Sequence, residues 1–448
     1  MKLPGFMREL SRYPSAIFGL LMILFLIGVS IYAMVTIPYS KAIELWRGGE
    51  AVWYRNPKMA SPVWTNLFRK EKLAESLYVS SAEGMAQVEV GATNDKGMTN
   101  ITMLFPFEFK ADVFPQEMIL YFHTTHQEKQ PYVSITWLTP DGREIRIGDF
   151  SVKEGQAFWF SQDSKLQRRL GGMDAREGLF VDDPKAEVRS LLKGQYQVKV
   201  EAVTFEPDTT LDIEFVLHGQ VAGFAGTDHL RRDLRVALLW GTPVALSFGL
   251  VAALLTSIAH MTIAAAGVWF GGWVDELIQR VTEINLVLPF LPILIMIGTF
   301  YSRSITTIFG AVILLSLFGG AVKSLRSVFM QIKESPYIEA ARSYGAGSWR
   351  IIVLYMIPRL VPLLVPALVT AIPGYVFLEA SLAVLGLGDP VLPTWGKMIN
   401  DASGNGALYK GLYYWVLQPS VMLMFAGLGF ALVGFSLDRI FNPRLRGI

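Results

Sequence analysis

Long apolar runs without charged residues dominate the hydropathy pattern of the chain. The first, Ser15 to Ile37, has 23 residues and no charged side chain, which is enough for a helix to cross a hydrocarbon core of about 30 Å. The apolar core of this run is longer than that of a signal peptide, so we expect an uncleaved anchor. The whole pattern predicts an α-helical polytopic membrane protein with six spans, at about 15–37, 240–268, 280–301, 305–323, 356–385 and 413–436.

The distribution of Lys and Arg predicts the orientation of these spans. With the N-terminus in the cytoplasm, twelve basic residues fall in short cytoplasmic segments, from Lys2 to Arg446, and three fall in short outer loops. The outer ones are Arg303, Lys397 and Lys410. Because cytoplasmic loops carry the excess of Lys and Arg, we expect both termini to be cytoplasmic and residues 40–230 to be extracytoplasmic.

The long segment between the first two spans has a different pattern. Apolar and polar residues alternate over 133–137, 143–147, 196–200 and 211–216, which is typical of strands with one buried face. The turn sequence Pro140-Asp141-Gly142 separates two of them. We therefore predict a β-sandwich-like domain from near 100 to 220, and helical or irregular structure over 41–99.

Composition narrows the function classes. Hydrophobic residues make up 52% of the chain and charged residues 17%, against about 25% charged residues in ordinary soluble domains. The net charge is only +2, and there is no cysteine. These values exclude a disordered chain, a nucleic-acid-binding polycation, disulfides and thiolate metal sites.

Motifs of catalysis or cofactor binding are absent from the sequence. It has no G-x-x-x-x-G-K-[ST] phosphate loop and no H-E-x-x-H pair, and its five histidines form no spaced set. We therefore predict no enzyme activity, no metal site and no cofactor in this chain.

A segment between the fourth and fifth spans has the pattern of a short capped helix. Ser335 suits the N-cap, and Pro336 suits the first helical position. Gly345 is placed to end the helix at C′, and Ser348 to cap the next helix. The four residues spaced on one face of this helix are Tyr337, Ala340, Ala341 and Tyr344. Such a helix rests on lipid or fits a groove on another protein.

The same segment resembles the EAA loop of ABC importer permeases, through Glu339-Ala340-Ala341, then Gly345 and Pro358. The chain is most similar to the C-type permeases of dipeptide and oligopeptide importers. The further motifs that carry this resemblance lie at 226–233, 271–276, 379–388, 393–396 and 442–446. Arg231 stands where the family usually has glycine. The resemblance covers the first span and residues 221–448, and residues 40–220 have no counterpart in it.

The resemblance implies a type I ABC importer-like core, and the β-rich domain predicted from the alternating pattern is then inserted between helices 1 and 2. The expected domains are 1–39 (N-terminal tail and helix 1), 40–225 (extracytoplasmic) and 226–448 (five-helix permease core with a coupling loop at 335–358). The expected partners are a second homologous permease, two cytoplasmic ATPase subunits that bind ATP and Mg²⁺, an extracytoplasmic solute-binding protein and the lipid bilayer. The residues expected to couple to the ATPases are Tyr337, Glu339, Ala340, Ala341, Arg342, Gly345 and Pro358.

The fifth span carries the candidate residues of the translocation pathway. Pro362, Pro366 and Pro373 each free a backbone carbonyl, which must face protein or water in a membrane. The alternative is that they only bend the helix to fit the bundle. Glu379, near the outer end of the span, is either a pore-facing group or a structural hydrogen-bonding partner.

Other functions stay open at this stage. The outer domain is compatible with a membrane-anchored receptor or assembly protein, and an exporter could share the permease core. For an importer, dipeptides and oligopeptides are the first expectation, and nickel complexes or sugars are alternatives.

Overall fold

A computed structural model describes residues 12–94, 97–184, 186 and 189–441. These residues form two units, one of residues 12–47 with 236–441 and one of residues 48–235. The unit borders lie a few residues further along the chain than the domain borders expected from the sequence. Lys2 and Arg8, which entered the orientation count, and the 442–446 motif lie outside the described residues.

The long helices coincide with the apolar runs of the sequence. They are α1 (Pro14–Thr36), α2 (Tyr39–Arg47), α3 (Gly49–Val52), α4 (Ser164–Arg169), α5 (Ala175–Gly178), α6 (Leu234–Phe270), α7 (Gly272–Val287), α8 (Phe290–Phe300), α9 (Ile305–Ser316), α10 (Gly320–Lys333), α11 (Pro336–Ser343), α12 (Ser348–Ile351), α13 (Ile357–Leu382), α14 (Trp395–Gly404) and α15 (Tyr413–Phe441). Two π-helical stretches, Ile352–Met356 and Ala383–Leu387, flank α13.

Within the residues that the structure describes, four helical stretches are long and apolar enough to cross a membrane: α1, α6, α15 and the continuous stretch Ser348–Leu387 that contains α13. Two further pairs of helices are each bent at a short break, and the number of spans rises to as many as six if each pair is counted as one span. The α7–α8 pair bends by 77° and the α9–α10 pair by 42°. The first bend lies beside Pro289, which precedes α8 and has no N–H to continue a helix. The third and fourth predicted spans are therefore broken helices rather than straight ones.

Glycines allow the membrane helices to approach closely. A Cβ at Gly427 of α15 would lie 2.6 Å from Phe377 Cζ of α13, and a Cβ at Gly434 would lie 2.4 Å from Thr370 Cγ2. On the other side of α15, a Cβ at Gly19 of α1 would lie 2.8 Å from the Gly429 carbonyl oxygen. No side chain fits at these three glycines. The glycine backbone therefore packs directly against the Phe377 ring, the Thr370 methyl group and the Gly429 backbone.

Trp395 and Asp389 join helices of this unit. The fully buried Trp395 donates from Nε1 to the Leu238 carbonyl oxygen at 3.0 Å, and a Cβ at Gly241 would collide with its ring. Asp389 accepts hydrogen bonds from the Ile305 and Val391 amides, both at 2.8 Å. The 393–396 motif therefore connects α14 to α6, and Asp389, which directly follows the 379–388 motif, connects the segment after α13 to the start of α9.

The second unit contains two antiparallel sheets. Their strands are β1 (Leu77–Ser80), β2 (Gln87–Val90), β3 (Thr99–Phe109), β4 (Glu117–Thr125), β5 (Tyr132–Leu138), β6 (Glu144–Ser151), β7 (Ala157–Trp159), β8 (Gly194–Thr204) and β9 (Thr210–His218). One sheet has the order β1-β9-β4-β7 and the other β2-β3-β8-β5-β6. Both sheets contribute to one core, which includes Phe107, Trp137 and Phe215. The four alternating segments predicted as strands lie in β5, β6, β8 and β9.

The prediction of helical or irregular structure over 41–99 is wrong for two strands. It holds for α2, α3 and the 3₁₀ turn Val63–Phe68, but β1 and β2 also lie there. Each has only four residues, and β2 is exposed along its whole length. β2 does alternate polar and apolar residues, but over only four positions, which is the lower limit of a strand signal.

Candidate functional site

The site is built around α11, Pro336–Ser343, which has the position that the sequence predicts but is one residue shorter. Ser335 is the N-cap residue, with extended backbone (φ −78°, ψ 142°), and Pro336 follows at the first helical position. The Ser335 hydroxyl makes no capping bond; it donates instead to the Gln331 carbonyl oxygen at 3.4 Å. The expected cap position is therefore correct, while the expected side-chain cap is wrong.

A left-handed turn at Gly345 ends the helix. Gly345 has φ +76°, and its N–H donates to the Arg342 carbonyl oxygen at 2.9 Å. The Ala346 N–H donates to the Ala341 carbonyl oxygen at 3.0 Å. Together these two bonds make a Schellman motif with glycine at C′, as the sequence predicts. The next helix is capped by Gly347 and not by Ser348, because Gly347 is the residue with extended backbone (φ −67°, ψ 155°).

One side of α11 packs onto its own chain. Ile338 and Ala341 are buried in a cluster that includes Ala265 and Val268 of α6, Phe329 of α10 and Ile352. Ala341 was expected on the same exposed face as Tyr337, Ala340 and Tyr344. Ala341 is instead buried against its own chain, where its small side chain lets α11 lie close to the other helices.

Two basic side chains, one from α11 and one from α10, contact the end of α6. The Arg342 guanidinium lies over the Trp269 ring, with its central carbon 5.0 Å from the centroid. Lys333 Nζ donates to the Val268 carbonyl oxygen at 2.7 Å and to the Trp269 carbonyl oxygen at 3.3 Å. These carbonyls belong to the last turn of α6, whose partial negative charge favours a cation.

A second ionic contact joins α10 to α7. Arg326 Nε donates to Asp275 Oδ1 at 2.8 Å, and its Nη2 donates to Oδ2 at 2.5 Å, a two-pronged pair. Sequence reasoning placed Asp275 in a motif without assigning it a partner, and it missed Arg326, Lys333 and Trp269. The sequence analysis used the basic residues of this loop only in the count of Lys and Arg that predicts the orientation of the spans.

The other side of α11 is exposed. Tyr337, Glu339 and Ala340 are exposed, and Tyr344 is 91% exposed. Glu339 lies in the first turn, where a carboxylate is favoured by the helix dipole. These residues form a surface, here called the α11 face, of two tyrosine rings, one methyl group and one carboxylate. Such a surface suits a groove on another protein.

The turn at Gly345 leads toward α13, the helix that contains four prolines. From Ser348 the chain runs without a break through the π stretch Ile352–Met356 into α13. Pro358 lies in the first turn of α13 and is exposed, as is Pro362. Pro366 is buried and Pro373 is half-buried. The structure therefore separates the four prolines by environment and does not bring them onto a single exposed face.

Glu379 is the buried acid of this region. It lies one turn from the end of α13 with 7% of its surface exposed, and its Oε2 atom has no hydrogen-bond partner among the described residues. An ionisable side chain inside a membrane helix is costly and marks a functional position by default. Glu379 lies near the end of α13 that is opposite to Pro358.

The loop before α6 holds an unexpected arginine. Arg231, at the usual glycine position, has φ +64°, a left-handed conformation that is rare for residues other than glycine. Its Nη1 donates to the Asn56 carbonyl oxygen at 2.7 Å and to His218 Nδ1 at 3.1 Å. His218 Nε2 donates in turn to the Tyr54 carbonyl oxygen at 3.0 Å. These contacts hold the loop in a conformation that arginine alone would not favour.

A buried ion pair completes this loop. Arg232 Nε donates to Asp228 Oδ2 at 2.5 Å, and both side chains are almost fully buried. The Thr227 hydroxyl donates to the Pro57 carbonyl oxygen at 2.7 Å and accepts from the Ala60 amide at 3.0 Å. The 226–233 motif therefore connects the segment before β1 to the start of α6.

Comparison with known proteins agrees with the geometry. Residues 245–447 match the family described as binding-protein-dependent transport system inner membrane component. A glutathione transport system permease protein of Pectobacterium atrosepticum is 28% identical over 226 residues, 50% of this chain and 74% of the relative. A dipeptide transport system permease protein of Alkalihalophilus pseudofirmus is 30% identical over 224 residues, 49% of this chain and 72% of the relative. A dipeptide permease of Bacillus subtilis is 27% identical over 224 residues, 49% of this chain and 68% of the relative.

Proposed function

Because the chain belongs to the binding-protein-dependent transport system inner membrane components, we propose that it is one permease subunit of an ATP-driven peptide importer. It forms the translocation pathway with a second, homologous permease. Two cytoplasmic ATPase subunits bind ATP and Mg²⁺, and an extracytoplasmic solute-binding protein delivers the solute. Dipeptides and oligopeptides are the proposed solutes, since similar permeases are named for dipeptide, oligopeptide and glutathione transport.

The proposed topology has six spans and two cytoplasmic ends. It counts each bent pair, α7–α8 and α9–α10, as one span. The excess of Lys and Arg in the short loops on the α11 side supports this orientation. The sheets of residues 48–235 then form an extracytoplasmic insert between the first two spans. The family match begins at residue 245, after this insert.

The α11 face is the proposed docking surface for an ATPase subunit, and this is the observation that carries the proposal. Its exposed residues are Tyr337, Glu339, Ala340 and Tyr344, while the buried Ile338 and Ala341 fix the helix to α6 and α10. Movement of the helix is passed to α13 through the Gly345 turn. Arg342 supports the helix from behind, through Trp269, and Pro358 begins the helix that receives the movement.

The proposed pathway lies along α13. Pro362, Pro366 and Pro373 free the carbonyl oxygens four residues earlier, and these oxygens are acceptors for a polar solute or for water. Glu379 adds a carboxyl group near the outer end. A peptide offers N–H donors and an ammonium group, which complement such acceptors.

The experiment is to assemble the full transporter in proteoliposomes with its co-encoded partner subunits and to measure ATP-dependent uptake of labelled dipeptides. Glu339→Lys reverses the charge on the α11 face and is expected to reduce ATPase copurification or to uncouple hydrolysis from uptake. Glu334→Lys is the matched control, since Glu334 is an exposed acid that precedes α11. Normal uptake by Glu339→Lys would refute the docking role, and absence of peptide uptake by the intact complex would refute the solute.

A further inference from the structure

An exposed aromatic cluster lies on the unit of residues 48–235. The 3₁₀ turn Val63–Phe68 presents Leu67 and Phe68, each 82% exposed, and Trp64. Phe224, 73% exposed, joins them from the loop before α6, because Trp64 Nε1 donates to the Phe224 carbonyl oxygen at 2.9 Å. We call these four residues the aromatic cluster. Water-exposed groups of large apolar side chains mark a surface that meets a partner or a membrane.

The cluster is held on a fixed base. Ser61 N–H donates to the Gln220 carbonyl oxygen at 2.9 Å, and Val63 N–H donates to the Gly223 carbonyl oxygen at 3.0 Å. The Asn66 side chain bridges the turn, because its amide donates to the Leu73 carbonyl oxygen and its oxygen accepts from the Leu73 amide. The exposed side chains are therefore presented by an ordered turn, so their exposure is a stable feature of the surface.

The cluster belongs to the end of its unit at which the chain enters a membrane helix. Phe224 is two residues from Gly226, at most about 7 Å along the chain. The Gly226 carbonyl oxygen accepts from the Leu234 amide at 3.1 Å, and Leu234 is the first residue of α6. Six residues later comes Trp240, whose ring lies 5.7 Å from that of Tyr39. Paired aromatic rings of this kind are typical of the membrane–water interface.

Charge at the edge of the cluster favours lipid over other occupants. Arg69 and Lys70 follow Phe68 directly, are exposed, and form no ion pair among the residues that the structure describes. Aromatic and leucine side chains beside Arg and Lys are typical of segments that lie in the headgroup region, where the rings reach the acyl boundary and the cations meet phosphate groups.

We propose that the aromatic cluster inserts into the lipid headgroup layer and anchors the unit of residues 48–235 to the membrane surface, with Arg69 and Lys70 on lipid phosphates. The proposal rests on the placement of α6 in a bilayer. The anchor holds this unit against the headgroup layer.

The test uses the absence of cysteine from the chain. Leu67→Cys in the full chain is labelled with an environment-sensitive fluorophore and reconstituted in vesicles of phosphatidylcholine and phosphatidylglycerol. Nitroxide-labelled lipids are expected to quench this label several-fold more than a label at Val90→Cys, an exposed position on β2. Iodide, present on both sides, is expected to give the opposite order. Adding Phe68→Asp and Phe224→Asp to the Leu67→Cys chain should abolish the lipid quenching.

Three other results would overturn the proposal. Equal iodide quenching at positions 67 and 90 would mean that the cluster faces water. Protection of the position 67 label from both quenchers would mean that protein covers the cluster. Lipid quenching that survives Phe68→Asp and Phe224→Asp would mean that the aromatic side chains do not anchor the turn. A label at Met424→Cys, exposed on α15, separates this from failure of the membrane placement itself, because it must be quenched by nitroxides in the acyl chains if the helices span the bilayer.

Discussion

The guanidinium of Arg342 lies over the indole of Trp269, with 5.0 Å between the central carbon and the ring centroid. This contact joins the short helix α11 to the last turn of α6. A residue that the sequence assigns to ATPase contact is therefore engaged within its own chain, and its effect on coupling is expected to pass through Trp269.

Arg342→Ala should weaken the position of α11, because a cation–π contact of this kind contributes about 0.5–1 kcal/mol. We expect reduced stimulation of ATP hydrolysis by the solute-binding protein, with unchanged membrane insertion. Trp269→Ala should give the same defect, and the double variant should be no worse than either single one. If Trp269→Ala behaves as wild type while Arg342→Ala does not, Arg342 contacts the ATPase directly.

Gly345→Val should disrupt the turn between α11 and α13. A left-handed φ costs a residue with a Cβ about 1–2 kcal/mol, and valine is among the poorest choices there. We expect loss of peptide uptake with normal expression. Gly345→Asn should retain most uptake, since asparagine tolerates this conformation.

The control for that prediction is Gly347→Val. Gly347 is two residues away, has an extended backbone, and no atom lies within 4 Å of an added Cβ. If both valine variants lose uptake equally, the left-handed conformation is not the cause.

Arg231 should stabilise the unit of residues 48–235 despite its backbone. Loss of its guanidinium removes bonds to Asn56 and His218 and should cost about 2 kcal/mol. Arg231→Ala keeps the unfavourable φ, whereas Arg231→Gly relieves it by about 1 kcal/mol. We therefore expect melting temperatures in the order wild type, Arg231→Gly, Arg231→Ala. An alanine variant as stable as the glycine variant would mean that the loop relaxes to another conformation.

His218 should make the stability of the same unit sensitive to acid. Burial, together with the Arg231 charge, lowers the pKa of His218 from its ordinary value of 6.5 to about 4. Between these two values the unfolded chain binds a proton that the folded chain does not, so stability is complete above pH 6.5 and falls as the pH drops toward 4. The melting temperature of His218→Gln should show a shallower decline over this range. Identical slopes for wild type and variant would contradict the prediction.

The sequence predicts local features of this protein better than its long-range contacts. Gly345 was identifiable as a helix stop because a glycine after a helical pattern is the usual C′ residue. The Arg342–Trp269 contact and the Arg326–Asp275 pair were not identifiable, since each joins elements far apart in the chain. Ser348 was misjudged because the N-cap residue is set by backbone conformation, and it is Gly347 that has the extended backbone.

The candidate site also combines local features that the sequence predicts with long-range contacts that it does not. Tyr337, Ala340 and Tyr344 are exposed, as a docking surface requires, and their spacing predicts that they share one face. Glu339, also exposed, was singled out by the resemblance to the EAA loop and not by spacing. The burial of Ala341 depends on where α6 and α10 lie, which no periodicity within α11 encodes. The left-handed Arg231 was visible only as a departure from the family pattern, and its partners Asn56 and His218 come from the part of the chain that the family lacks.

The glycine crossings of α1, α13 and α15 limit how this permease can alternate between conformations. At Gly427 the ring of Phe377 occupies the space where a side chain would stand, and at Gly434 the same is true of Thr370. A displacement along the helix axes would drive these groups into the backbone of the next turn. The three helices are therefore expected to turn together as one rigid block, with bending confined to the connections at its ends. Distances between spin labels on α13 and α15 should then stay constant through the transport cycle.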